Sequence, residues 1–156
     1  MANKKISIKT RLLLIDKGSV LLIKQTKPNG GKFTFVGGNI EKKEFAKASL
    51  IREAMEEAAI KLEAKDLQLA HVLHKKDAQN MRIILYFKTE KWEGAPKNLE
   101  PQKFKKVKWH KLDALPKQLS RTARHVLKMY RTGYMYSELQ REVVDRKLDG
   151  FKEKKD

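Results

Sequence analysis

GNIEKKEFAKASLIREAMEEAAI, residues Gly38 to Ile60, decides how the rest of the chain is read. From about Lys43 to Ile60 it is built from Ala, Glu, Lys, Leu and Met with no Gly or Pro, which is strong helix chemistry. At about 100° per residue, and with Glu53 as origin, Glu57 lies near +40° and Glu56 near −60°, so three carboxylates share one face. Ala48, Ile51, Ala54, Met55, Ala58 and Ala59 fall roughly opposite, so the helix is expected to dock by a small apolar face and to present the three acids outward. Glu53 and Glu57, four apart, repel by ~0.2–0.5 kcal/mol, and only Arg52 and Lys61 are spaced to compensate. Hard divalent cations need such a cluster of oxygen donors, and Mg²⁺ bridges it to substrate phosphates. Gly37-Gly38, just before the helix, lets the backbone approach a ligand closely.

Outward from this helix the chain alternates strand and turn. Ile6 to Ile15 and Ser19 to Gln25, separated by Asp16-Lys17-Gly18, read as a hairpin. Lys27 to Gly31 is turn chemistry, and Lys32 to Val36 is a short strand that Gly37-Gly38 interrupts. Strand patterns return at Leu67–His74, Met81–Lys91 and Phe104–His110, and a second helix is expected from about Gln118 to Arg131. Residues 1–136 are expected to form one α/β domain, a mixed sheet flanked by helices. Residues 137–156 form a polar extension, with helix expected over Ser137–Lys147.

Composition narrows the chemistry. With no cysteine among 156 residues, disulfides, thiol nucleophiles and Cys-based metal sites are excluded. No apolar run is long enough to span a bilayer and the first residues lack a signal-peptide core, so a cytoplasmic protein with no membrane partner is expected. Lys and Arg number 36 against 19 Asp and Glu, a formal charge of +17 spread evenly along the chain. The densest run, Lys103, Lys105, Lys106, Lys108 and Lys111, reads as the solvated face of a strand, and the general positive field is suited to small polyanions and to weak non-specific nucleic-acid binding. His71 and His74, three apart on a strand, point to opposite faces and do not suggest a paired metal site.

The segment resembles the signature of the Nudix hydrolases, the MutT-like nucleotide pyrophosphohydrolases, whose pattern is G-x5-E-x7-R-E-U-x-E-E-x-G-U with U bulky and aliphatic. Gly38, Glu44, Arg52, Glu53, Glu56, Glu57 and Ile60 stand in register. Ala54 is small for its slot, and Ala59 replaces the usual glycine, which suggests a locally different helix C-terminus. Val36 stands where many relatives have proline. The resemblance reaches over roughly residues 5–132, including Pro96 to Phe104 and Trp109 to Pro116, which look like members acting on nucleoside triphosphates, oxidised ones among them.

The resemblance implies a Nudix-type α/β/α sandwich with the catalytic helix at about 43–60, and hydrolysis of a diphosphate linkage with Mg²⁺ or Mn²⁺. It implies Glu53, Glu56, Glu57 and the Gly37 carbonyl as metal ligands. Arg52 would orient a carboxylate. Glu44 would brace the loop or serve simply as an acid favoured in a first helical turn. Glu53 is the first choice for general base and Glu100 the second, Glu100 reading equally as a metal ligand or a surface acid. For the substrate, Arg11 and Lys24 are candidates to meet phosphates and Phe35 and Trp109 to stack on a base, although aromatics at strand spacing are more often core. The expected reaction is (deoxy)nucleoside triphosphate to monophosphate and pyrophosphate, by a monomer or homodimer. The alternatives are a pyrophosphohydrolase for RNA 5′ ends or dinucleoside polyphosphates, and a non-catalytic nucleotide- or nucleic-acid-binding module, which would be expected to have lost one of the three helix acids.

Overall fold

The structure is a computed structural model that describes residues 5–140. Among the described residues nine strands and two α-helices follow in the order β1 (Lys5–Leu13), β2 (Ile15–Asp16), β3 (Ser19–Gln25), β4 (Phe33–Thr34), β5 (Gly37–Asn39), α1 (Ala46–Ala58), β6 (Gln68–Lys76), β7 (Asn80–Lys88), β8 (Phe104–Lys111), α2 (Arg121–Arg131) and β9 (Tyr136–Gln140). A five-stranded sheet runs β5-β1-β7-β6-β9, with β1 parallel to β7, β6 parallel to β9 and the other pairs antiparallel. In the smaller sheet β3 pairs with β8 along one edge and with β2 and β4 on the other.

Continuous apolar runs mark strands buried on both faces. Leu12, Leu14, Leu21 and Ile23 pack with Leu50, Ala54 and Ala58 of α1. Their neighbours Leu13, Val20 and Leu22 pack with Ala123, Val126 and Leu127 of α2. The result is a mixed α/β sandwich with one helix on each side, as the sequence suggests.

The pairing of the strands differs from expectation. The hairpin shrinks to Ile15–Asp16 against Ser19–Val20, while Lys5–Leu13 pairs with β7 and β5. Burial on both faces requires β1 to lie inside a sheet, and the chain crosses to the smaller sheet after Leu13. The glycine pair does not simply end a strand: β4 belongs to one sheet, and Gly37-Gly38-Asn39 is itself a strand of the other. Tyr136–Gln140 forms edge strand β9 rather than the start of a helix. Ser137 and Leu139 of β9 face the core on alternate residues, a period of two. Residues 141–147 of that expected helix lie outside the described residues.

α1 is shorter than 43–60 and is rotated relative to the expected docking face. Leu50, Ala54, Ala58 and Glu57 are buried, whereas Ala48, Met55 and Glu56 are exposed. Leu50 lies within about 20° of Glu57 on the helical wheel, so burying Leu50 carries Glu57 inward with it. Ala59 takes the left-handed conformation (φ 57°, ψ 31°), and its N–H caps Ala54 and Met55 carbonyls. The helix end is therefore an ordinary left-handed cap made with alanine, not the altered terminus that the substitution suggests.

Candidate active site

The site forms where β5 meets α1. Gly37 (φ 147°) lies so close to β1 that a Cβ would stand 2.0 Å from the Thr10 carbonyl oxygen. Its N–H donates to Glu57 Oε1 at 2.9 Å, and its carbonyl accepts from Arg11 Nη1 at 2.9 Å. Arg11 also donates to the Phe35 carbonyl at 3.2 Å, so it fixes the backbone on both sides of Val36. Gly38 lies under Glu53, where a Cβ would come within 2.6 Å of the carboxylate. The glycines thus let strand and acids touch.

Arg52 organises the rest. Its guanidinium reaches Glu44 at 2.7 and 3.1 Å, Glu53 at 3.1 Å, Glu56 at 3.3 Å and Glu41 at 3.6 Å. Glu44 also accepts the Glu41 N–H at 2.9 Å. These bonds, Arg52 first, pull the Glu44 carboxyl down to about 2, and Glu44 raises Arg52 further above its ordinary range. Glu44 stands just before α1 and closes the turn that begins at Glu41.

Glu57 differs in kind, being only 4% exposed. Burial pushes its carboxyl up to about 7, with Glu53 and Glu100 adding repulsion, against the Gly37 N–H and Arg11. Glu100 is brought here by its loop: Lys97 N–H donates to the Ala58 carbonyl at 2.9 Å and Leu99 N–H to the Glu57 carbonyl at 3.1 Å. Lys103 pairs with Glu100 at 3.3 Å and is held protonated by it, with smaller contributions from Glu53 and Glu57. Burial of Glu57 corrects the expectation that all three helix acids face outward.

The acids are not yet gathered as a ligand cage. Among the described residues no three acidic or imidazole groups stand together as they would on one ion, because Arg52 holds Glu53 and Glu56, and the Gly37 amide holds Glu57. The donor chemistry nevertheless fits a hard divalent cation: carboxylate oxygens only, one of them buried and repelled by two like charges, a deficit that a cation would relieve. Binding would require Glu53 and Glu56 to turn from Arg52, and use of the Gly37 carbonyl would require Arg11 to share it.

The substrate candidates divide. Lys24 is half-buried and donates to Gln118 at 2.7 Å, with its ammonium 5.4 Å from the Phe33 ring centre. Phe35 is 1% exposed and packs edge-on against Tyr86, so it belongs to the core and cannot stack on a base. Trp109 lies half-buried beside Trp92 against the α1 core. Arg11 anchors backbone rather than standing free. Sequence reasoning missed that anchoring role, and also Glu41, Lys103 and Gln118. Arg11 and Gly37 are register partners across β1 and β5, a pairing that no local pattern announces.

A family model described as NUDIX domain matches residues 8–130. No curated protein matches the chain. Among solved structures, a MutT NUDIX hydrolase from Burkholderia pseudomallei is 26% identical with a TM-score of 0.73, covering 80% of this chain and 98% of its own. A MutT protein from Methanosarcina mazei is 20% identical with a TM-score of 0.71, covering 85% and 97%. An ADP-ribose pyrophosphatase from Streptococcus suis shares the fold at 16% identity and a TM-score of 0.58, covering 86% and 98%. With its acids set around Arg52 and the glycine pair, and with the domain match spanning most of its length, the chain belongs to the Nudix hydrolase family and is a pyrophosphohydrolase of phosphorus-containing anhydrides.

Proposed function

We propose that this enzyme hydrolyses (deoxy)nucleoside triphosphates to monophosphate and pyrophosphate with Mg²⁺, Mn²⁺ serving in its place. The observation that carries this reading is the buried Glu57 carboxylate, bonded to the Gly37 N–H and crowded by Glu53 and Glu100. The ionised carboxylate is unfavourable in such an arrangement and is stabilised when a cation joins it. When bound, the metal neutralises charge on the phosphate oxygens as the P–O–P linkage opens.

The chain's own residues then divide the work. Glu53, Glu56 and Glu57 would hold the metal, and Glu44 keeps Arg52 in place at the turn before α1. Water attacks one phosphorus of the α–β linkage, its proton passes to Glu53 or Glu100, and the bridging oxygen leaves with the other phosphorus, giving monophosphate and pyrophosphate. Lys103 pairs with Glu100 beside the site. Of the described residues no helix is long and apolar enough to cross a membrane; nucleotides of the cytoplasm are the natural substrate pool for this reading. The test is release of pyrophosphate and of phosphate from nucleoside triphosphates, dinucleoside polyphosphates and nucleotide sugars, with Mg²⁺ and with chelator. Metal-dependent pyrophosphate release from triphosphates is expected; cleavage of nucleotide sugars alone would replace this substrate assignment.

A further inference from the structure

On the α2 side, the large sheet turns from apolar to cationic as it runs out from under the helix. Register partners form three rows across β1, β7 and β6: Arg11, Tyr86 and His71; Lys9, Ile84 and Leu73; Ser7, Arg82 and Lys75. Tyr86, Ile84 and Leu73 belong to the core under α2. In the outermost row Arg82 and Lys75 stand directly opposite one another, a pairing that is destabilising for like charges. Lys75 is tied to Thr122 Oγ1 at 2.7 Å. Lys9, half-buried, has Arg11, Arg82, Lys75 and Lys5 about it, and burial together with these four cations pushes its ammonium down to about 8. Among the described residues neither Lys9 nor Arg82 makes an ion pair.

These cations open into a groove of about 630 Å³ whose walls include Lys5, Lys9, Arg82, Asn39, Asn80 and Glu44. Its acids, Glu41 and Glu44, are both held by Arg52. The same Arg52 holds Glu53 and Glu56, so the groove adjoins the catalytic acids. Lys9 and Arg82 thus share a groove with Glu41 and Glu44, and neither acid is paired to them.

We infer that this groove is a second anion subsite, in which Arg82 and Lys9 receive a phosphate group that the substrate carries beyond the diphosphate being cut. This rests on the function proposed above. The Arg82 guanidinium can take two phosphate oxygens at once, Lys9 adds a point charge, and the amides of Asn39 and Asn80 supply neutral donors. Two sources carry that chemistry: a phosphate on the ribose 3′ oxygen of a nucleotide, and the first internucleotide phosphate of a triphosphate RNA end.

The experiment compares ATP, its 3′-phosphorylated form and the dinucleotide pppApA as substrates with Mg²⁺, in the wild-type enzyme and in Arg82→Gln and Lys9→Gln. The added phosphate is expected to lower KM by about tenfold, with kcat little changed, and each substitution to remove that advantage. The probe that shows the advantage names the source. Equal KM for all three, or an advantage both variants keep, overturns the subsite. Hydrolysis of none of them is a failure of the proposed function instead, and the subsite is then judged by pppApA binding to metal-free protein. There Arg82→Gln should reduce the slope of log affinity against log salt by about 0.7, and an unchanged slope overturns the inference. Removing a crowded cation should also raise the melting temperature of the ligand-free protein, which loss of a merely structural residue would lower.

Discussion

The Gly37 amide donates to the Glu57 carboxylate at 2.9 Å, joining the strand before the helix to the acid most deeply set in it. That bond stabilises the carboxylate, yet burial dominates, and Glu57 titrates near 7 instead of in the usual carboxylate range. The folded state therefore prefers the protonated acid.

The consequence for stability has a definite sign. A carboxyl raised from 4.5 to about 7 contributes stability that is fully present below pH 4.5 and lost as pH rises through 7. The loss is roughly 3 kcal/mol from the size of the shift. Chemical denaturation in chelator should show the metal-free protein losing stability relative to Glu57→Gln between pH 4.5 and 7.5, since Glu57→Gln keeps an acceptor for the Gly37 N–H but lacks the titrating carboxyl. Glu44 does not confuse the comparison: its carboxyl is lowered to about 2, so its contribution is lost only as pH falls below 4.5. Addition of Mg²⁺ at pH 6 should release close to one proton from wild type. Parallel stability curves for the two proteins would contradict the assignment.

The two glycines should respond differently to alanine. At Gly37 the added Cβ meets the Thr10 backbone at 2.0 Å and the residue holds φ 147°, so Gly37→Ala should cost more than about 3 kcal/mol. At Gly38 the Cβ meets only the end of the Glu53 side chain, which can move. Gly38→Ala should fold nearly as well as wild type and lose turnover by tenfold or more, about 1.4 kcal/mol in barrier, through a displaced Glu53. Melting curves set beside kcat separate the two.

Ala59 presents the opposite case, a residue with a Cβ where glycine is better suited. Its φ of 57° should make Ala59→Gly stabilising by about 1 kcal/mol. The midpoint of thermal unfolding should rise by a few degrees with kcat unchanged, since Ala59 lies beyond the last residue of α1. A lower midpoint would show that its methyl packs more than the backbone is strained.

How far the sequence discloses this enzyme depends on whether a feature is local. The catalytic helix, its acids and the glycine pair sit within two dozen residues and obey spacing rules, so they are legible from the order of residues alone. The orientation of the helix is less so: a wheel that weighs Ala48 and Met55 but omits Leu50 turns the docking face and leaves Glu57 outside. Strand partners are set at long range. Arg11 meets Gly37 only because β1 lies between β5 and β7, and Ser137 is bonded by both His71 and His125 only because β9 returns to β6. Phe35 illustrates the same limit, since an aromatic in an alternating strand reads alike whether it faces a ligand or Tyr86.

The most direct test of the central claim, that the acids of α1 hold the cation driving hydrolysis, is calorimetric titration of Mg²⁺ into wild type and Glu57→Gln at pH 7.5. The account predicts saturable binding by wild type and at least a tenfold loss of affinity in the variant, about 1.4 kcal/mol, with both proteins folded. Equal affinity in the two would contradict it and move the metal to other ligands.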